Sequence, residues 1–198
     1  MFDLDGSVLG IDPGLSRCGY GVVRLTTGRK AEALACGVIR TPPSDPLPQR
    51  LAALVAELER LLAEVRPAAV SVERVLFQAN ARTAMSVGQA SGLALATAAR
   101  MGIPVTQYSP NEVKLAVTGD GAADKAQMQA MVARLLNLGA PPKPPDAADA
   151  LALALCHLWR VPLSGAAAGT GGVGGTGGFE RAVAAAVARD ERPVKGRA

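Results

Sequence analysis

Four acidic residues, far apart in the sequence, occupy positions where a carboxylate could take part in chemistry. Asp12 ends the apolar run Val8–Ile11 and is followed by Pro-Gly, and Glu73 ends a second short apolar run. Asp146 and Asp149 are three residues apart at the start of a later apolar segment, so a helix there would place them on one face. Two strand ends and a helix start can converge at one edge of a sheet. We therefore expect the four carboxylates to form one cluster.

Such a cluster suits metal-dependent cleavage of phosphodiester bonds. Four negative side chains together would raise one another's pKa values and destabilise the fold unless cations bound among them. All the ligand atoms would be hard oxygens, which favours Mg²⁺ or Mn²⁺ over zinc. Two such ions about 4 Å apart can activate a water molecule and stabilise charge on the attacking and leaving oxygens. We therefore expect two ions, Mg²⁺ or Mn²⁺, in each active site.

Each acidic residue also has an ordinary explanation of its own. Asp12 could cap the turn that Pro-Gly forms, and Glu73 could make a solvated pair with Arg74. Asp146 and Asp149 have the spacing of a helix-capping arrangement. Only the joint pattern favours catalysis, because otherwise all three ordinary explanations would have to hold together.

The apolar pattern predicts the elements that would carry these residues. Two strands form a hairpin around Pro-Gly, a third covers Ala31–Arg40, a Pro-rich stretch breaks regular structure over Thr41–Pro48, and an amphipathic helix follows from Leu51 to Val65. The remaining predicted elements are a strand over Ala68–Glu73, a helix over Ala81–Met101, a strand over Ile103–Tyr108, and helices over Asn111–Val117, Asp124–Leu138 and Asp146–Trp159. This order predicts an α/β fold, a mixed five-stranded sheet flanked by helices. Its first three strands would be antiparallel, and its last two would be reached by helical crossovers.

The composition predicts one domain followed by a tail. Of 198 residues 49% are apolar but only 3% aromatic, so Ala, Val and Leu must form the core. We expect a catalytic domain over residues 1–162, and a Gly-rich flexible linker with a basic, disordered tail over residues 163–198. Three cysteines without a C-x-x-C pair, and no apolar run long enough to cross a bilayer, predict a cytoplasmic protein. The formal net charge of +4 suits a polyanionic partner.

Several short motifs follow one another from Val8 to Leu158. They are Gly-Ile-Asp-Pro-Gly at Gly10–Gly14, Gly-Tyr-Gly-Val-Val at Gly19–Val23, Val72-Glu73, Val-Gly-Gln-Ala-Ser-Gly at Val87–Gly92, Glu112-Val-Lys114, Lys125, and Asp-Ala-Ala-Asp-Ala-Leu-Ala at Asp146–Ala152. In this order they resemble the RuvC family of Holliday-junction resolvases. The resemblance implies a ribonuclease H-like fold and metal-dependent cleavage of four-way DNA junctions in homologous recombination and DNA repair. It also implies a homodimer that works beside the RuvA and RuvB branch-migration proteins.

The resemblance assigns roles to single residues. The family's catalytic acids, which would also be the metal ligands, fall on Asp12, Glu73, Asp146 and Asp149, although some relatives have His in place of Asp146. Its DNA-contacting lysines fall on Lys114 and Lys125, which would otherwise be taken for solvated lysines on helices. The wedge that enters the opened junction, often aromatic in the family, falls on Leu76, and Phe77 follows it. Which of these two inserts is left open.

Two-fold symmetry connects this substrate to an oligomer. A C₂ homodimer would place one acidic cluster on each side of the crossover, and the Gly- and Ala-rich segment Gly88–Ala99 is our candidate for the dimer contact. His157 lies about 12 Å along a helix from Asp149, too far to share its metal, so we expect it to be a packed or surface histidine.

Other functions could use part of the same pattern. The main alternative is a RuvC-like nuclease that acts on RNA or on replication intermediates. An actin- or sugar-kinase-like ATPase would need a second phosphate loop and an adenosine pocket in a second domain, for which a chain of 198 residues is too short. A junction-binding scaffold without activity is disfavoured because all four acids are present.

Overall fold

A mixed five-stranded sheet forms the centre of a computed structural model that describes residues 6–26, 30–75 and 81–160, with side chains from residue 84 in the last range. The strands are β1 (Val8–Asp12), β2 (Arg17–Leu25), β3 (Ala31–Arg40), β4 (Ala69–Glu73) and β5 (Val105–Tyr108). Their order across the sheet is β3-β2-β1-β4-β5. The first three are antiparallel, whereas β4 runs parallel to both β1 and β5, which confirms the predicted topology.

Helices cover both faces of this sheet. Within the described ranges they are α1 (Leu47–Val65), α2 (Ala81–Arg100), α3 (Pro110–Thr118), α4 (Lys125–Leu135) and α5 (Pro145–Arg160). None of these helices is long and apolar enough to cross a membrane. The predicted linker and tail, residues 163–198, lie outside the described residues.

Alternating strand residues face two separate cores, because successive side chains of a strand point to opposite faces. On one face Leu9 and Ile11 pack with Leu54 and Leu58 of α1 and with the alanines of α2. On the other face Val8 packs with α3, α4 and α5. The sheet is therefore the middle layer of three.

Two predicted boundaries are wrong by more than two residues. Helix α1 begins at Leu47, inside the stretch predicted to break regular structure, because proline is tolerated in the first helical turn and Pro48 occupies it. Helix α4 ends at Leu135 rather than Leu138, because Asn137 adopts a left-handed conformation with φ 52° that closes the helix.

Helix α5 lies unusually close to the sheet. A methyl group added at Gly10 would overlap the backbone oxygen of Ala150, and one added at Gly19 would overlap the backbone oxygen of Asp146. Since these strand positions carry no side chain, the backbone of α5 rests directly on β1 and β2. Apart from Asp149, every residue of α5 from 147 to 158 is buried.

This contact can be tested with one methyl group. Gly10→Ala should lower the free energy of unfolding by about 3 kcal/mol, because the methyl has no space unless α5 moves away from the sheet. Gly121→Ala adds the same group where no atom lies within 4 Å, so we expect a change within about 0.5 kcal/mol. Urea unfolding of both variants makes the comparison, and equal stabilities would contradict the close packing of α5.

Candidate active site

Asp12 and Glu73 stand at neighbouring strand ends. Strand β1 pairs in parallel with β4, with Ile11 opposite Val72, so the acids that follow these residues reach the same edge of the sheet. Both side chains are half-buried, and their carboxyl groups are within hydrogen-bonding reach of each other. The parallel register thus brings together two acids that are 61 positions apart, from 12 to 73.

Asp146 and Asp149 reach this edge from the first turns of α5. A cationic side chain from a different element holds each of them. Arg17, at the start of β2, donates a hydrogen bond to Oδ2 of Asp146. Lys125, at the start of α4, donates from Nζ to Oδ2 of Asp149 over 2.9 Å. The two aspartates are therefore bound by side chains of two different elements, β2 and α4.

Asp12 is the acid at which burial and the neighbouring negative charges combine. Burial, followed by the negative charges of Glu73 and of the two α5 aspartates, raises the pKa of Asp12 to about 8. Burial also raises the pKa of Glu73. Without a bound cation, this environment favours the protonated form of Asp12. The three other acids all act on Asp12, so the four acids that we expected to converge lie at this edge.

The donor set fits a hard divalent ion, although the side chains are not yet arranged around one. In the part of the chain that the structure describes, no three Asp, Glu, His or Cys side chains are placed to hold a metal ion. Arg17 and Lys125 each bind an aspartate oxygen that a metal ion could otherwise take. The carboxylate oxygens and the unfavourable charge on Asp12 are what a bound cation would satisfy.

The predicted DNA-contacting lysines lie beside these acids. Lys114, half-buried on α3, and Lys125 line a cavity of about 220 Å³ whose wall includes Glu73 and Asp149. The remaining lining residues are Pro110, Val113, Met128, Ala152 and Leu153. The cavity thus has a polar side near the acids and an apolar floor between α3, α4 and α5. Leu76 and Phe77, the two candidates for the wedge, lie outside the described residues.

His157 packs in the core, as expected. It is 2% exposed, and its Nδ1 lies 3.1 Å from the hydroxyl of Tyr108. Burial lowers its pKa, so the neutral ring is favoured. It plays no part in the acidic cluster.

Arg17 is a residue near the site that the sequence analysis missed. It lies two positions before Gly19, which faces Asp146 across the close contact between β2 and α5. Strand residues two apart point to the same face, so the register that pairs Asp12 with Gly19 places Arg17 on the face of Asp12, but this register is known only from the structure. Its arginine side chain alone gives no such indication, since exposed arginines are common.

The chain is similar to one protein family over most of its length. Residues 8–157 match the family described as "Crossover junction endodeoxyribonuclease RuvC". A protein of that name from Salinispora arenicola is 61% identical over 153 residues, which cover 77% of this chain and 87% of the relative. Another, from Streptomyces avermitilis, is 58% identical over 155 residues, covering 78% of this chain and 88% of the relative.

Solved structures agree with this match. The structure of Thermus thermophilus RuvC in complex with Holliday junction substrate has 40% sequence identity and a TM-score of 0.72, covering 76% of this chain and 92% of that one. The yeast mitochondrial Holliday junction resolvase Ydc2, at 19% identity and a TM-score of 0.54, shares the fold over 75% of this chain and 77% of its own. The ribonuclease H-like fold is confirmed. The chain belongs to the RuvC family of crossover junction endodeoxyribonucleases, hydrolases that cut phosphodiester bonds of DNA.

Proposed function

We propose that this chain resolves four-way DNA junctions by paired, symmetric nicks in homologous recombination and DNA repair. The proposed catalytic acids and metal ligands are Asp12, Glu73, Asp146 and Asp149. The observation that carries this assignment is the convergence of the four carboxylates at one edge of the sheet, Asp12 and Glu73 from neighbouring strand ends and the two aspartates from the first turns of α5. The Thermus thermophilus relative is in complex with Holliday junction substrate, which supports the choice of substrate.

Membership of the RuvC family implies a requirement for divalent metal ions. We assign two ions, Mg²⁺ or Mn²⁺, to the four carboxylates, since hard oxygen ligands suit both. When bound, such ions activate water and stabilise charge on the attacking and leaving oxygens. Asp12, Glu73, Asp146 and Asp149 would hold the ions, and Asp12 is the acid on which the charges of the other three act.

The protein's own cations would position the substrate. Lys114 and Lys125 line the cavity beside Glu73 and Asp149, so a phosphate placed there could be bound by both ammonium groups. To do so Lys125 would exchange Asp149 for the phosphate, which would also release a carboxylate oxygen toward the cluster. Leu76 or Phe77 would act as the wedge that keeps the junction open.

A homodimer is part of this proposal, because two related strands must be nicked. One exposed face of α2 has room for a partner helix. Met85 is 65% exposed there, and a methyl added at Gly88 or Gly92 would meet no atom within 4 Å.

RuvA and RuvB would supply the junction to this protein in the cytoplasm. The cytoplasm is a reducing compartment, which suits the three buried, free cysteines Cys18, Cys36 and Cys156.

The catalytic role of Asp12 can be separated from DNA binding. Asp12→Asn should bind a synthetic four-way junction as well as the wild-type chain. Its single-turnover cleavage in Mg²⁺ should fall by roughly a thousand-fold or more, about 4 kcal/mol of transition-state stabilisation. Retained cleavage would refute the assignment. Equal wild-type cleavage of a flap or an RNA hairpin would instead refute the proposed substrate.

The metal assignment predicts a linkage between pH, metal and stability. The pKa of Asp12 is raised from 3.8 to about 8, so the folded protein holds a proton that the unfolded chain releases between these values. The stability of the metal-free protein should therefore fall as pH rises from about 5 to about 8, and Asp12→Asn should reduce this dependence. Mn²⁺ should raise the melting temperature of the wild type more at the higher pH, and that of Asp12→Asn much less. Equal shifts in both proteins, measured by circular dichroism, would argue against a metal site at Asp12.

The role of Lys114 can be tested through salt. Lys114→Ala should weaken junction binding and lower the slope of log affinity against log salt by about 1, because one phosphate contact is lost. Lys30→Ala removes the same charge beyond the far end of β2 and should leave the slope unchanged. Equal slopes in Lys114→Ala and the wild type would return Lys114 to the role of a solvated lysine.

A further inference from the structure

Two arginines stand side by side at the sheet edge beside Asp146. Arg17 begins β2, Arg40 ends β3, and the register of these antiparallel strands pairs the two directly. We call Arg17 and Arg40 the arginine cluster. Arg50, in the first turn of α1, donates hydrogen bonds to the residues next to them in the sequence, from the other face of the sheet.

Arg17 and Arg40 point to the same face of the sheet. Residues directly opposite on antiparallel strands share a face, and like charges in such a pair repel each other. The ion pair of Arg17 with Asp146 offsets part of this repulsion, and both arginines are exposed to solvent. An anionic ligand bound by both guanidinium groups would offset it further.

The backbone around the arginine cluster is held in place. Arg50 donates from Nη2 to the Ser16 hydroxyl over 2.6 Å and from Nε to the Thr41 hydroxyl over 3.0 Å. Thr41 is buried, and its hydroxyl donates to the backbone oxygen of Leu15 over 2.5 Å. The turn after β1, the end of β3 and the start of α1 are thus tied together, which fixes the spacing of the strand-end arginines before any ligand binds.

The arginine cluster lies across the acidic site from the two lysines. Strands β2 and β3 are on the side of β1 away from β4. Lys114 and Lys125 lie on the other side, in the cavity that includes Glu73 at the end of β4. Arg17 on Asp146 and Lys125 on Asp149 therefore mark two basic flanks of one acidic centre.

We propose that the arginine cluster is a second phosphate-binding site, for the backbone of the DNA strand that continues past the cleavage point on the side away from Lys114 and Lys125. The planar guanidinium presents a fork of donors that matches phosphate oxygens, and binding of this kind is independent of base sequence. With positive charge on both flanks, the scissile phosphate would be centred over the acids. This inference rests on the proposed function, because it takes junction DNA as the ligand.

The test is carried out without divalent metal ions, so that the junction is bound but not cut. Binding of a synthetic four-way junction to Arg17→Gln, Arg40→Gln and the double variant is measured in EDTA at several salt concentrations. Each single substitution should lower the salt slope by about 1, and the double substitution by about 2. Arg100→Gln is the matched control: Arg100 pairs with Glu59 at 3.2 Å and precedes β5 at the opposite edge of the sheet. Its slope should equal that of the wild type.

The same measurement in an Asp146→Asn variant separates two effects of substituting Arg17. Arg17→Gln also leaves Asp146 without its cation, and the exposed carboxylate could itself repel DNA. If Arg17 contacts phosphate, its substitution should lower the slope equally in an Asp146→Asn background. An effect that disappears there, or slopes of Arg40→Gln and the double variant equal to those of the control, would overturn the inference while leaving the proposed function intact. Failure of the wild-type chain to bind the junction would overturn both.

Discussion

The direct contact between the backbone of α5 and the glycines of β1 and β2 is the constraint on which the site depends. A side chain at Gly10 or Gly19 would push the helix outward, and with it the aspartates of its first turns. Asp12 and Glu73 are fixed by the pairing of β1 with β4, so the whole cluster forms only if the helix reaches the sheet. The same packing that stabilises the fold therefore forces acidic side chains together.

The repulsion between the acids that this packing brings together must be offset by protonation or by positive charge. Part of the balance is protonation, since the pKa of Asp12 is raised to about 8. Another part is the pairing of Asp146 with Arg17 and of Asp149 with Lys125. These partners come from the strand side and the helix side of the site. Together these two ion pairs offset part of the repulsion among the acids.

Much of this arrangement follows from the sequence, for identifiable physical reasons. The strands and helices have clear apolar periodicity, so the sheet could be predicted. The four acids of the site lie at the ends or starts of apolar segments, so the convergence of Asp12 with Glu73 could be predicted as well. The role of Arg17 could not, because it depends on which residues face each other across a hairpin. Register is set by turn geometry and packing, and apolar periodicity alone does not determine it. The start of α1 at Leu47 was missed because prolines break helices in their interior but not in their first turn.

The burial of α5 has a consequence for how the site changes state. Its side chains from 147 to 158 are enclosed except for Asp149, whereas the cations that hold its aspartates are exposed, with 44% of the Arg17 side chain and 64% of the Lys125 side chain accessible. Exposed side chains change rotamer in picoseconds to nanoseconds, far faster than packed helices shift. The acids thus form a rigid frame, and the proposed binding of ions or substrate would need only a reorientation of two long side chains rather than a closing movement of the backbone.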